Sequence, residues 1–199
     1  MTRSLILKNF FSASPKNFQP IHREKIGLVK HKYSFLKNSN SEQINAINIL
    51  KEFPLKNFQV ILLHGVTGSG KTRVYLQKVS ECINKNLQCL IMVPEIILTD
   101  SWVYEIEKEY GIHPLVFHSS IKKSSRERIW NDAICGKQIV VVGTRSALFL
   151  PFKNLGLIIV DEEHDQSYKQ DEGVIYNARD MPVSRASFEK IPINLITSV

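Results

Sequence analysis

The chain has 199 residues, of which 43% are hydrophobic and 23% are charged, and its net charge is +7. This is the composition of a globular protein, and the length suits one α/β domain with a buried core. Its apolar runs, such as residues 157–160, are as long as strands, which excludes a membrane span. The cysteines are odd in number and widely spaced, so they predict reduced thiols in a cytoplasmic protein and no zinc site.

The positive charge is concentrated at the N-terminus. Residues 1–58 hold 10 Lys/Arg and 3 Asp/Glu, whereas residues 59–199 hold 16 of each. Residues 1–40 are basic and weakly periodic, which predicts a partly disordered lead-in, and their first part lacks the features of a signal peptide. A basic lead-in favours attraction to nucleic acid phosphates, and a merely solvated or disordered tail is the alternative.

Helices and strands are predicted to alternate over residues 41–199. A first helix runs from Ser41 to about Phe53, with Ser41 as its N-cap. Strands are then predicted at 59–64, 88–93, 114–118, 138–142, 156–160 and 193–197, and helices at 71–84, 97–110 and 123–135. This alternation indicates right-handed βαβ units and therefore an α/β domain with a mainly parallel central sheet.

Residues 65–72 have the pattern of a phosphate-binding loop. They read Gly-Val-Thr-Gly-Ser-Gly-Lys-Thr and lie between an apolar run and a helix-prone stretch, so backbone amides and a helix N-terminus face the loop. Lys71 is expected to reach the β- and γ-phosphates of ATP, and the Thr72 hydroxyl to ligate Mg²⁺. Phosphate binding is assigned to Gly65, Thr67, Gly68, Ser69, Gly70, Lys71 and Thr72.

An acidic cluster, Asp161-Glu162-Glu163-His164, follows the apolar run at 157–160. Ligand sites in open α/β sheets lie at the carboxyl ends of strands, which is also where the phosphate-binding loop emerges. Asp161 is predicted to hold Mg²⁺, through water, and Glu162 to orient and activate the attacking water. The alternative for such a cluster is a solvated turn.

The loop and the acidic cluster together resemble those of superfamily 2 helicases and translocases. Residues 65–72, 93–99, 143–149 and 161–170 are similar, nearly word for word, to the primosomal protein N′ family of bacterial replication-restart DNA helicases. The resemblance covers residues 36–199 and implies an α/β, RecA-like three-layer domain of the P-loop NTPase type. It implies a first motor lobe that couples ATP hydrolysis to DNA translocation and unwinding. It implies ATP and Mg²⁺ as cofactors, and as partners forked or single-stranded DNA, primosome proteins and single-stranded-DNA-binding protein.

The resemblance also implies roles for individual residues. Gln43 would read adenine, for which a surface glutamine is the alternative. His164 would couple the nucleotide site to the DNA side, for which a packed polar residue is the alternative. DNA contacts are implied for Pro94, Glu95, Thr99, Gly143, Thr144 and Arg145. Tyr168, Lys169 and Arg179 would sense single-stranded DNA from an aromatic-rich loop, for which a surface loop with half-buried tyrosines is the alternative.

The chain also departs from the family pattern. It stops at Val199, where the family continues with Ser-Ala-Thr-Pro, and Asp100 and Asn177 replace a proline and a histidine. We therefore expect a truncated lobe without its second lobe, which hydrolyses ATP slowly and does not unwind DNA alone. The alternative is an inactive remnant that binds nucleotide or DNA without turnover. A small-molecule P-loop kinase is disfavoured because the chain shows the helicase motifs instead of a lid and an acceptor site.

Overall fold

The computed structural model describes residues 39–137, 139–170, 176–177 and 180–198, so the predicted lead-in lies almost entirely outside the described residues. The strands are β1 Gln59–Gly65, β2 Gln88–Met92, β3 Leu115–Phe117, β4 Val140–Gly143, β5 Leu155–Val160, β6 Lys169–Gln170, β7 Tyr176–Asn177 and β8 Pro192–Ser198. Within this part of the chain, six strands form one parallel sheet in the order β1-β8-β5-β2-β4-β3, and β6 and β7 form an antiparallel pair. The predicted parallel α/β sheet is confirmed.

Helices cover both faces of this sheet. They are α1 Ser41–Glu52, α2 Lys71–Asn84, α3 Asp100–Tyr110, α4 Lys123–Ile134 and α5 Asp180–Glu189, with 3₁₀ turns at Arg145–Phe149 and Gln166–Tyr168. One core cluster packs α1, α2 and α3 against the sheet, and the other contains residues of α4 and α5. This is the three-layer arrangement expected of a sheet with apolar residues on both faces. None of the helices in the described ranges is long and apolar enough to cross a membrane.

Two helices begin at positions other than those predicted. The N-cap of α1 is Asn40 and not Ser41, because Asn40 and Gln43 form a reciprocal capping box. The Asn40 side chain accepts a hydrogen bond from the backbone amide of Gln43 at 2.8 Å, and the Gln43 side-chain oxygen accepts one from the backbone amide of Asn40 at 3.1 Å. Helix α3 starts at Asp100 and not at residue 97, since the Thr99 hydroxyl caps it by accepting from the Trp102 amide at 3.2 Å.

Helix α5 was not predicted, because its sequence follows directly on the segment interpreted as an aromatic-rich loop. Two local signals were available: Asp180 lies in the first turn, and Pro182 lies where a missing amide breaks no helical hydrogen bond. The helix is tied to the rest of the domain by Arg185, whose buried guanidinium donates to the carbonyl oxygens of Leu148 and Leu150. The chain therefore returns from the acidic cluster through α5 before it forms β8.

A buried lysine joins α1 to α2. Lys78 is 1% exposed, and its ammonium donates to the carbonyl oxygens of Leu50, at 3.1 Å, and Phe53 at the C-terminal end of α1. It also forms an ion pair with Glu81 at 2.6 Å. Carbonyls at a helix C-terminus have no partner within the helix, and a cation there also interacts favourably with the helix dipole. Lys78 therefore fixes the helix that carries Gln43 against the helix that carries Lys71.

Replacing Lys78 by methionine is expected to lower the free energy of unfolding by about 3 kcal/mol, because the carbonyls of α1 and the Glu81 carboxylate lose a buried partner. Lys85 is a matched control, since it forms an ion pair with the same Glu81 at 2.6 Å but is 48% exposed. Lys85→Met should cost less than about 1 kcal/mol. Urea denaturation followed by circular dichroism measures both variants, and equal losses would contradict the role given to Lys78.

Candidate nucleotide-binding site

The phosphate-binding loop connects the end of β1 to the start of α2. Gly68 and Gly70 adopt left-handed backbone conformations, with φ of 77° and 79°, and Gly70 is the N-cap of α2. A Cβ atom at Gly70 would meet only the end of the flexible Gln43 side chain, so it is the positive φ that favours glycine at this position. The loop thus directs the free amides of the first turn of α2 toward the place where an anion binds.

Lys71 lies at the centre of this loop. Its ammonium donates to the carbonyl oxygens of Gly65 and Val66, each at 3.1 Å, and to the Ser198 hydroxyl at 2.8 Å. Ser198 in turn donates to Glu162 Oε1 at 2.6 Å. Strand β8 lies between β1 and β5, so its last residues bridge the loop after β1 and the acidic cluster after β5. Lys71 and Glu162 are therefore connected through one serine hydroxyl.

Asp161 is a buried carboxylate, with 6% of the residue exposed. Its Oδ2 atom accepts from the Tyr75 hydroxyl at 2.9 Å and its Oδ1 atom accepts from the Glu162 amide at 3.0 Å. Burial raises the pKa of Asp161 to about 6, although the hydrogen bond from Tyr75 acts in the opposite direction. A bound cation would favour the ionised carboxylate that burial disfavours.

The residues present suit Mg²⁺, which prefers carboxylate and hydroxyl oxygens. Thr72 lies three residues before Tyr75 on α2, and the Tyr75 hydroxyl donates to Oδ2 of Asp161 at 2.9 Å. Both candidate oxygen ligands therefore lie near the face of α2 that carries Tyr75. Their binding of a shared Mg²⁺ ion stays a prediction.

Glu162 has a strained backbone, with a φ of 46° that places a non-glycine residue in the left-handed region. Such a conformation costs about 1–2 kcal/mol and is common at functional sites. Its Oε2 atom lies 3.7 Å from Nε2 of His164, whose Nδ1 atom lies 3.0 Å from Thr197 Oγ1. His164 is about half exposed and contacts both the acidic cluster and β8, so it is not a packed core residue.

Gln43 contacts the phosphate-binding loop directly. Its Nε2 atom donates to the carbonyl oxygen of Ser69 at 2.8 Å, while its side-chain oxygen accepts from the Asn40 amide in the capping box. Each end of the amide therefore has one protein partner and keeps one further hydrogen-bonding position, because the NH₂ group carries two donors and the oxygen two lone pairs. The position beside the loop agrees with a role at the nucleotide, and the reading of adenine stays a prediction.

The two predicted DNA-contact motifs lie at the carboxyl ends of the neighbouring strands β2 and β4. After β2, Pro94 is buried while Glu95 and Thr99 are exposed. After β4, Thr144 is buried, and its amide donates to the carbonyl oxygen of Phe117 at 3.2 Å. Arg145, half-buried, opens the 3₁₀ turn Arg145–Phe149. These residues share the sheet edge with the nucleotide site, and their contacts with DNA stay predictions.

Glycine is required at position 143 for a packing reason. A Cβ atom at Gly143 would overlap the carbonyl oxygen of Phe117 and lie 2.6 Å from Cβ of Ala147. The first of these neighbours is backbone, which cannot move aside as a flexible side chain can. The glycine of this motif is thus needed for the close approach of β3 and β4, whatever its role toward DNA.

The interpretation of Tyr168 as a base-stacking residue is corrected by its burial. Tyr168 is 1% exposed, and its hydroxyl donates to the carbonyl oxygen of Asp161 at 2.7 Å. A ring enclosed in the core offers no face to a nucleobase. The backbone of Lys169 belongs to β6, and its side chain, like all of Arg179, lies outside the described residues.

Sequence reasoning missed three residues that complete the site: Tyr75, Thr197 and Ser198. Tyr75 follows Lys71 by four residues, which places both on one face of α2. That spacing, together with the need of a buried tyrosine hydroxyl for a partner, was an available signal. Ser198 and Thr197 gave no comparable signal, because their contacts depend on the position of β8 in the sheet.

A parallel sheet with a Gly-rich loop after one strand and an Asp-Glu pair after another defines a P-loop NTPase. Comparison with protein families narrows the class of the chain further, because the DEAD/DEAH box helicase family matches residues 40–191. The chain belongs to the DEAD/DEAH box helicase family.

Among curated proteins, the chain is similar to replication restart proteins. It is 42% identical over 163 residues to replication restart protein PriA of Rickettsia felis, which covers 82% of this chain and 24% of that protein. It is 45% identical over 139 residues to PriA of Haemophilus influenzae, which covers 70% of this chain and 19% of that protein. The predicted resemblance to replication-restart helicases is confirmed, and the chain spans about a quarter or less of the length of these relatives.

Solved structures show the same fold. RecG bound to a three-way DNA junction matches with a TM-score of 0.58 and 26% identity, over 82% of this chain and 22% of that chain. The Hef helicase domain of Pyrococcus furiosus matches with a TM-score of 0.56 and 16% identity, over 82% of this chain and 34% of that chain. The predicted RecA-like fold is therefore confirmed.

Proposed function

We propose that this chain is the ATP-binding motor lobe of a replication-restart DNA helicase, in which ATP hydrolysis drives translocation along DNA and its unwinding. The observation that carries the proposal is the connection from Lys71 through Ser198 to Glu162, directly beside the buried carboxylate of Asp161. It joins the Lys71 ammonium to the Glu162 carboxylate, beside that of Asp161, which supports roles for these groups in binding phosphate, accepting a proton and holding a metal ion. Identities of 42–45% to PriA proteins support the replication-restart assignment.

The chemical roles follow from these positions. The amides of residues 65–72 and the Lys71 ammonium bind the phosphates, and Gln43 reads the adenine. Thr72 and Asp161 hold Mg²⁺, which when bound offsets negative charge on the phosphates. Glu162 orients the attacking water and accepts its proton, with Ser198 keeping the carboxylate directed at the loop. His164, which contacts both Glu162 and Thr197, couples this site to the DNA side.

DNA is the proposed partner, in forked or single-stranded form. The residues after β2 and β4 are Pro94, Glu95, Thr99, Gly143, Thr144 and Arg145, and they form the proposed contact edge. The similarity to RecG, a protein solved on a three-way DNA junction, supports this choice. Lys169 and Arg179 are proposed to extend the contact to single-stranded DNA. Primosome proteins and single-stranded-DNA-binding protein are the proposed protein partners, in the cytoplasm.

We expect the chain alone to hydrolyse ATP slowly and not to unwind DNA. In related phosphoryl transfer, an arginine supplied from outside the nucleotide-binding core accelerates the reaction by about 10³–10⁵. The test is phosphate release by the purified chain with and without forked DNA. Slow turnover that forked DNA stimulates would support the motor-lobe function. Nucleotide binding with no turnover under either condition, or turnover stimulated by a small-molecule acceptor and not by DNA, would contradict it.

A further inference from the structure

A buried tyrosine contacts the carboxylate that the proposed metal site needs. Tyr75 lies on α2 and is 0% exposed, and its hydroxyl donates to Oδ2 of Asp161 at 2.9 Å. The two residues are 86 positions apart in the chain, so the contact depends on the packing of α2 against the end of β5. No motif used to identify the nucleotide site includes this tyrosine.

The Tyr75 hydroxyl is held as a donor. It is the donor of this hydrogen bond because the oxygens of an ionised carboxylate can only accept. On the other side of the carboxylate, the Glu162 amide donates to Oδ1 at 3.0 Å. Each carboxylate oxygen thus accepts one protein hydrogen bond and keeps a free lone pair, and together the two donors fix the rotation of the group.

We propose that Tyr75 is a positioning residue for Mg²⁺, which it serves by holding the Asp161 carboxylate in the orientation that binds the ion. This inference rests on the proposed function, because it assumes that Asp161 binds the ion of Mg-ATP. Groups that hydrogen bond a metal-ligating side chain orient it, and their removal lowers metal affinity by about 10–100-fold.

A second buried tyrosine offers a matched control. Tyr168 is 1% exposed and its hydroxyl also bonds Asp161, but it donates to the main-chain carbonyl oxygen at 2.7 Å and not to the carboxylate. Tyr75→Phe and Tyr168→Phe therefore each remove one buried phenol that contacts the same residue. A purely structural role predicts equal effects of the two changes, whereas a positioning role predicts that only Tyr75→Phe alters metal binding.

The experiment titrates Mg²⁺ into the full chain in the presence of a fluorescent ATP analogue, without any measurement of turnover. For Tyr75→Phe, the Mg²⁺ concentration at half-saturation should rise by about 10-fold or more, while metal-free nucleotide affinity stays within about twofold. For Tyr168→Phe, the Mg²⁺ concentration at half-saturation should stay within about twofold of wild type. Thermal unfolding without ligand checks that both variants fold, and both should melt below wild type because each loses a buried hydrogen bond.

Three outcomes separate the explanations. An unchanged Mg²⁺ requirement in Tyr75→Phe would overturn the positioning role. An equal rise in both variants would also overturn it, since it would show general loosening around Asp161. A wild-type chain that binds the analogue with no dependence on Mg²⁺ would contradict the proposed function itself, together with the inference that rests on it.

Discussion

Replacing Lys71 by alanine is expected to lower the affinity of the chain for Mg-ATP by at least about 100-fold. The ammonium lies at the centre of the phosphate-binding loop, 3.1 Å from the carbonyl oxygens of Gly65 and Val66. Bound phosphates would exchange these neutral acceptors for charged ones, and charge-assisted hydrogen bonds contribute about 1.5–3 kcal/mol each. Two such bonds correspond to about 100-fold or more in the dissociation constant.

The measurement is a titration with a fluorescent ATP analogue in the presence of Mg²⁺. Lys123→Ala is a suitable control, because Lys123 is 90% exposed on α4 and its removal changes the net charge equally. That variant should stay within about twofold of wild type, since exposed charges are screened by salt. A Lys71→Ala variant that keeps wild-type affinity would show that the loop does not bind the β- and γ-phosphates through this lysine.

Replacing Glu162 by glutamine is expected to slow ATP hydrolysis by at least about 100-fold while Mg-ATP binding stays within about threefold of wild type. Glutamine is nearly isosteric and keeps an oxygen that can accept from Ser198, which lies 2.6 Å from the carboxylate. It cannot take a proton from water, however. Since the change affects only proton transfer, it separates catalysis from binding, unlike the change at Lys71.

Because we expect slow turnover from the chain, hydrolysis should be followed in single-turnover experiments with protein in excess over ATP and with forked DNA present. Glu127→Gln makes the same chemical change on the exposed side of α4, where the carboxylate is 63% exposed, and should leave the rate within about twofold. Equal rates in wild type and Glu162→Gln would show that Glu162 is not the proton acceptor and that another carboxylate near the loop must be tested.

The sequence predicted those parts of the site that are encoded by a continuous stretch of neighbouring residues. In residues 65–72 and in Asp161-Glu162, an apolar strand delivers the functional group directly to the sheet edge, so strand, loop and helix appear in one continuous stretch. The one-residue error at the N-cap of α1 also has a local origin, because Asn40 and Ser41 are both good caps and only the partner Gln43 decides between them.

Two further errors concern the segment after the acidic cluster. Tyr168 is buried although the resemblance implies that it senses single-stranded DNA from an aromatic-rich loop, and α5 was missed because its sequence follows directly on that loop. Composition describes how polar a segment is, but it does not show which side chains turn inward. The nearby carbonyl of Asp161 accepts the Tyr168 hydroxyl, and this partner makes burial of the phenol favourable.

The sequence by itself determined the α/β class, the order of the six strands of the sheet and of helices α1 to α4 along the chain, and the identities of Lys71, Thr72, Asp161 and Glu162 as candidate functional groups. Periodicity and turn chemistry act over a few neighbouring residues, so they are readable without coordinates. Only the tertiary structure decided which of these groups meet. Strand β8 lies between β1 and β5 and carries Ser198 to Lys71, 127 residues away, and the packing of α2 brings Tyr75 to Asp161. Such contacts depend on the order of strands in the sheet, which local patterns do not encode.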